Sequence, residues 1–370
     1  MPHDPYKALY LHIPFCVKRC DYCDFTTQAV PATSTEIDAY VDNLVLDIRR
    51  KAKEGELAAV ETVYLGGGTP THIGSARLSS LLYALSVSMR MEPDVECTME
   101  ANPESLTPEL VKDVWALGVN RLSLGVQSFD DAVLATLGRA HTAKAARDAL
   151  AAAGERFANF SIDLMCGIPG QSVESFRESV RTAVDLDVPH ISVYPLTVEK
   201  GTPFYKAIRK GKMLLPDEDV EADMMELAAT ELTAAGYERY EVASYAKPGH
   251  ACRHNIAYWT GVPYLGLGTS AATMTQNSER RMRMKDGFVT DDLNPAQMAA
   301  EDLMLGMRMA RGVSESQIEA ARELLPNVVD VFQELIDLGL ATPVDGRVQP
   351  TTLGWLCGNE LYERIYALAD

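Results

Sequence analysis

The stretch that decides the fold is Tyr10-Leu11-His12-Ile13-Pro14-Phe15-Cys16-Val17-Lys18-Arg19-Cys20-Asp21-Tyr22-Cys23-Asp24-Phe25. It begins as an apolar, β-branched run suited to a strand and turns at Pro14 into a loop that carries three thiols at Cys-x3-Cys-x2-Cys spacing. A loop that short can wrap one metal centre. Structural zinc usually takes four protein ligands, and no fourth Cys or His follows at short spacing. Three thiolates from Cys16, Cys20 and Cys23 instead leave one iron of a four-iron four-sulfur (4Fe-4S) cluster open to a small molecule. A zinc loop that borrows a distant ligand, or three unrelated cysteines, are the rival readings.

Outward from this stretch, strand and helix patterns alternate six times. Strands are expected at Ala8 to Pro14, Val60 to Gly68, Val95 to Asn102, Asn120 to Gln127, Asn159 to Pro169 and His190 to Thr197. Helices are expected at about Thr35 to Lys53, Ser75 to Met89, Pro108 to Leu117, Thr142 to Ala153 and Val173 to Leu186. Repeated units of this length favour a parallel sheet. Polar residues gather at the C-terminal ends of the strands, namely the cysteine loop, Gly66 to Thr69, Glu100 and Asn102, and Gln127, with Asp163 inside the fifth strand and Tyr194 and Thr197 at the sixth. Convergence from every strand onto one face suits a barrel better than an open sheet with one switch point. The fold class is therefore α/β, a partial (β/α)6 TIM-like barrel.

After Thr197 the pattern changes to a helix-rich stretch, Pro203 to Ala235, a strand at Tyr237 to Tyr245 and a Gly-rich passage from Tyr258 to Ser270. Beyond Asn294, three helices precede a hairpin over 339–348 with Asp345-Gly346 at its turn, the outline of a smaller C-terminal α+β, winged-helix-like domain. The divisions expected are 1–235 for the barrel, 236–293 for the intervening segment and 294–370 for the C-terminal domain. That two-domain plan suits 370 residues, because single cores usually split beyond roughly 250 to 300.

The net charge of -18 disfavours nucleic acid as a partner, since polyanion affinity comes from Lys and Arg neutralising phosphates. No apolar run follows a basic patch in Met1 to Lys7, and no segment reads as a membrane span, so a cytoplasmic location is expected. Seven cysteines without an export signal point to reduced thiols rather than disulfides. Cys97, Cys166 and Cys357 read as small buried hydrophobes. Gly66-Gly67-Gly68-Thr69-Pro70 is a candidate for bringing backbone amides to an anionic group. Arg280, Arg281, Arg283 and Lys285 form the one dense basic run, read either as a solvated loop or as a dock for acidic groups.

The cysteine spacing, with an aromatic residue before the last cysteine, resembles the radical S-adenosylmethionine (SAM) signature. That resemblance implies that the methionyl amine and carboxylate of SAM chelate the open iron, and that an electron donor serves the cluster. Together with Met99-Glu100-Ala101-Asn102-Pro103, Gly125-Val126-Gln127-Ser128 and Ile162-Asp163-Leu164, it is similar along nearly the whole chain to the oxygen-independent coproporphyrinogen III dehydrogenase group. The likeness implies SAM contacts at Tyr10, Tyr22, Gly67, Gly68, Thr69, Glu100, Gln127, Arg139 and Asp163.

Two departures argue against the dehydrogenase itself. Phe25 stands where that group carries a further cysteine, and only nine residues precede Tyr10, whereas the group has an N-terminal extension. The string His254-Asn255-Ile256-Ala257-Tyr258-Trp259 resembles instead the mark of the HemW-type heme chaperones. It implies heme as ligand, with contacts at His254, Tyr258 and Trp259, and a recipient hemoprotein of respiratory or cytochrome type, a membrane-associated partner included. Imidazole is a standard axial ligand and the aromatics offer flat apolar surface; Cys252 is a second candidate for the iron. A porphyrinogen-converting enzyme or a heme-modifying radical SAM methyltransferase is the rival function.

Overall fold

The structure, a computed structural model, describes residues 3–89 and 94–369. Six strands, β1 (Ala8–Ile13), β2 (Thr62–Gly67), β3 (Glu96–Ala101), β4 (Arg121–Gln127), β5 (Phe160–Cys166) and β6 (His190–Pro195), lie side by side in chain order and pair in parallel. Helices Thr35–Lys53, Ser75–Ser88, Pro108–Ala116, Ala143–Gly154 and Val173–Asp185 cross between them. Four of these helices start where a Ser or Thr side chain accepts an N-terminal amide: Ser34, Thr107, Thr142 and Ser172. The partial barrel read from the alternation is the fold observed.

Side chains alternate along each strand, so odd and even positions face opposite ways. Leu65, Met99, Leu122, Leu124, Ile162, Leu164, Ile191 and Val193 face outward, where they are sealed under the helices in one continuous apolar core. The other set points into the barrel: Tyr64, Glu100, Arg121, Ser123, Ser161, Asp163, His190 and Ser192 all line its cavity. The interior is thus polar along its whole height, not only at the strand ends. The apolar burial that stabilises the sheet is on its outer face, and the polar inner face lines the cavity.

Residues 236–293, read above as a separate segment, run along both edges of the same sheet. Tyr237 to Tyr245 is not one strand but two, Glu238–Arg239 and Ser244–Ala246, and the latter pairs antiparallel with β6. The Gly-rich passage contains Tyr264–Leu267, a seventh parallel strand against the outer edge of β1. Gly266 permits this, because a Cβ there would come within 2.2 Å of the Ala272 carbonyl oxygen. Three antiparallel strands, Ala272–Gln276, Arg281–Lys285 and Phe288–Leu293, extend that edge.

The basic run is neither a solvated loop nor an open dock. Arg281, 2% exposed, donates to Glu301 at 2.5 Å and Asp302 at 2.7 Å, and Arg283 pairs with Glu301 at 2.8 Å. These charges pin the edge strands to helix Pro295–Gly306, and Arg280 pairs with Asp292 beside them. The rest of the C-terminal region has its own apolar core, with the order helix, strand, two helices and hairpin of a winged helix. Asp345 and Gly346 both have positive φ at the hairpin tip, as a tight two-residue turn requires. Cys97 and Cys166 are buried as expected, whereas Cys357, at a break between two short helices, is exposed. Among the described residues no helix is long and apolar enough to cross a membrane.

Candidate functional site

One cavity of about 440 Å³ runs down the barrel from the cysteine loop, a size ordinary for a small-molecule site. Cys16, Cys20 and Cys23 line its mouth with Tyr22 and Phe25, and Phe25 is 65% exposed there. Among the described residues no three His, Cys, Asp or Glu side chains are grouped to hold a single metal ion. Burial raises the Cys16 thiol to about 11, against the pull of the Thr69 hydroxyl that donates to its sulfur at 3.5 Å. Cys20 accepts from the Arg139 guanidinium at 3.4 Å.

The glycine run does something other than expected. The amides of Gly67, Gly68 and Thr69 donate to Glu100 Oε2, the Ile13 carbonyl and the Phe15 carbonyl, so none is free for an anion. Their task is to hold the cysteine loop: a Cβ on Gly68 would lie 2.7 Å from the Pro14 backbone, and one on Gly67, which has φ +112°, would meet the His12 ring at 2.4 Å. Only glycine lets the end of β2 approach that closely.

Tyr22, Gly67, Gly68, Glu100, Gln127, Arg139 and Asp163 all line the cavity. Tyr10 and Thr69, from the same expected set, stand behind its wall. Tyr10 shares a hydrogen bond with His12 at 3.1 Å, and Thr69 accepts from Asn102 at 2.7 Å. Glu100 accepts from Tyr64 Oη at 2.9 Å as well as from Gly67, yet burial outweighs both donors and holds its pKa above the usual carboxylate range. Asp163 rises to about 7, through burial first and the neighbouring Glu100 carboxylate second. Gln127 has φ +66°, a strained conformation for a side chain other than glycine, where β4 bulges against β5. Arg139 bonds Asn102 and the Gly125 carbonyl, both at 2.6 Å, and its buried Nε has no partner among the described residues. An orphaned guanidinium nitrogen, thiols at the mouth and two carboxyls in the wall form a donor and acceptor set that fits an iron-sulfur cluster and an amino-acid nucleotide.

The His254 string forms the floor of the barrel, at the N-terminal ends of the strands. Helix Arg253–Trp259 opens without a capping side chain of its own. Glu96 replaces it, accepting from the amides of Arg253 and His254, both at 3.0 Å, and from the Cys252 thiol at 3.5 Å. His254 is 1% exposed; its Nδ1 bonds Thr62 Oγ1 at 2.8 Å, its Nε2 bonds Tyr258 Oη at 3.3 Å, and its ring stacks on Tyr64. Burial, with Arg121 adding to it, pulls its pKa down to about 3. Trp259 donates to Glu241 at 3.0 Å, and Asn255 faces the cavity. In this arrangement neither ring nitrogen of His254 is free for iron, and Cys252 is sealed in the core. Tyr64 joins floor to wall, stacked on His254 and bonded to Glu100.

Sequence reasoning missed Arg121, Ser123, Ser161, His190 and Ser192. The signal was there in Arg121-Leu122-Ser123-Leu124 and His190-Ile191-Ser192-Val193, strict polar-apolar alternation in strands covered by helices.

The Radical SAM superfamily model matches residues 10–183. A heme chaperone HemW from Bacillus subtilis is 34% identical over 377 residues, covering 96% of this chain and 98% of that protein. The chain belongs to the HemW heme chaperone family. The Escherichia coli HemW is 40% identical over 268 residues, 72% of this chain and 70% of its own. Among solved structures, the radical SAM enzyme coproporphyrinogen III oxidase (HemN) of Escherichia coli superposes with a TM-score of 0.80 at 23% identity, covering 99% of this chain and 90% of that one. At that identity the likeness establishes the shared fold, here from the barrel through the winged-helix-like end. The radical SAM match over residues 10–183 implies the cluster and SAM, and the name of the family implies heme.

Proposed function

We propose that this protein binds heme and passes it to an acceptor hemoprotein, on a scaffold in which Cys16, Cys20 and Cys23 hold a 4Fe-4S cluster and the barrel cavity takes SAM. The observation that carries this reading is the match to heme chaperones over nearly the full chain. Phe25 in place of a further cysteine supports it.

When bound, the cluster and SAM supply one-electron cleavage of the sulfonium; the protein's own residues bind, orient and shield. Arg139 donates to the Cys20 sulfur and to Asn102, which ties the cysteine loop to the cavity wall. Glu100 and Asp163 present carboxyl groups to the amine and hydroxyls of the nucleotide, and Tyr22 and Gln127 wall its sides. The reading places the protein in the cytoplasm, with an electron donor for the cluster and acceptors of respiratory or cytochrome type, membrane-associated ones included. Axial ligation by His254 requires it to give up Tyr258 and the Tyr64 stack; heme contact through Tyr258 and Trp259 requires the floor helix to shift.

Anaerobic reconstitution, followed by heme titration and a coproporphyrinogen assay on the same sample, tests the proposal. Stoichiometric heme uptake without turnover is expected. Conversion to protoporphyrinogen refutes it.

A further inference from the structure

Arg121 opens β4 and points into the barrel, roughly 20 Å along the strand from Gln127 at the nucleotide end, taking about 3.3 Å per residue. It is 2% exposed, yet no hydrogen bond or ion pair of its side chain is recorded among the described residues, and its Nε is buried without a partner. Glu96 is near enough to feel its charge, but the Glu96 oxygens are taken up by Cys252, Arg253 and His254. An enclosed guanidinium with nothing bound to its five donors is strongly destabilising unless something else satisfies it.

The groups around it are of the same kind. Thr98, opposite Arg121 in the register of β3 and β4, has an unpartnered buried hydroxyl. His190 lines the cavity with an unpartnered Nδ1 and is held neutral by burial, with Arg121 adding to it. The Tyr240 hydroxyl accepts from the Cys252 amide and shares a hydrogen bond with His190 Nε2, which leaves Nδ1 as the ring nitrogen without a partner among the described residues. Asn255 faces the same space from the floor helix.

We propose that the floor of the barrel cavity is a binding site for a carboxylate, anchored by the Arg121 guanidinium and flanked by His190, Thr98 and Asn255. The planar fork of Arg121 matches a carboxylate in two parallel bonds. One cation balances one negative charge; a phosphate dianion would leave excess charge facing Glu96, Glu100 and Asp163. The carboxylate is either a free small anion or the propionate arm of heme. The second source rests on the function proposed above; the first does not.

The test uses the full-length protein reconstituted anaerobically, with sodium propionate against sodium chloride at equal ionic strength. Propionate is expected to raise the unfolding temperature saturably while chloride does not, and Arg121→Met is expected to bind propionate at least ~10-fold more weakly. Without propionate the variant is expected to be no less stable than the native protein, because it removes an unpaired buried charge. If Arg121→Met does not fold, the native comparison of propionate with chloride still decides. Equal responses to both salts, or undiminished propionate binding by the variant, would overturn the site. Iron protoporphyrin and its dimethyl ester separate the sources: weaker binding of the ester, with competition by propionate, assigns the site to heme. Propionate binding that leaves heme uptake untouched assigns it to a free carboxylate. Failure to bind heme at all removes the chaperone reading and leaves the propionate result standing.

Discussion

Replacing His254 by Ala separates a structural floor from an axial ligand. In the folded protein the imidazole satisfies Thr62 Oγ1, which is buried and has no other side-chain partner among the described residues, and it packs between Tyr64 and Tyr258. Leaving that hydroxyl unpaired costs roughly 1–3 kcal/mol, and the lost aromatic contacts add about 0.5–1.5 kcal/mol. The sum, near 3 kcal/mol, corresponds to a fall of about 4 °C in unfolding temperature for a protein of this size, at ~1.3 °C per kcal/mol. The same variant also changes the acid response. A histidine held at about 3 when folded and near 6.5 when unfolded leaves the unfolded state with the extra proton below pH 6.5. Its neutral-buried contribution is therefore complete above pH 6.5 and is lost progressively as pH falls toward 3. Urea midpoints of the native protein at pH 7 and pH 4.5 should differ more than those of the variant. A variant that melts within about 1 °C of the native protein, keeps the same acid slope and loses its heme spectrum would refute the floor assignment.

Arg281→Met should destabilise by about 1–3 kcal/mol, because it takes one of two guanidinium partners from the buried Glu301, which keeps Arg283, and the partner of Asp302; calorimetry or urea titration checks it. Heme binding by that variant should be unchanged where it folds, and a selective loss of heme affinity would restore the basic run as a dock. Gly68→Ala should push the Pro14 backbone away from β2, costing about 1–3 kcal/mol and lowering the iron retained after reconstitution, measured as iron per chain. Glu100→Gln keeps the shape of a carboxyl already disposed to hold a proton, so stability should change by less than ~1 kcal/mol. SAM binding should nevertheless weaken, and an unaltered affinity in equilibrium dialysis would remove Glu100 from the nucleotide site.

Local signals carried much of the fold. The six barrel strands and their five helices follow from hydrophobic periods of two and 3.6 within short windows, and Asp345-Gly346 needs only its two residues to announce a hairpin. The cysteine loop was legible for the same reason, with its three thiols contained in eight residues. The cavity wall was harder. Glu100, Gln127 and Asp163 stand out on their strands and Arg139 after the fourth, but Arg121 and His190 open their strands, where a charged residue reads as an exposed terminus until the barrel curls it inward.

By itself the sequence determined that this chain is a βα barrel with a thiol loop after its first strand, because periodicity and ligand spacing are properties of neighbouring residues. Only the tertiary structure decided what the distant motifs do. Thr62 and His254 meet across 192 residues of chain, the basic run finds its carboxylates on a helix, and the glycine amides are spent on the cysteine loop. Each outcome depends on which buried polar group lies opposite which. That pairing comes from sheet register and packing, and no local pattern encodes it.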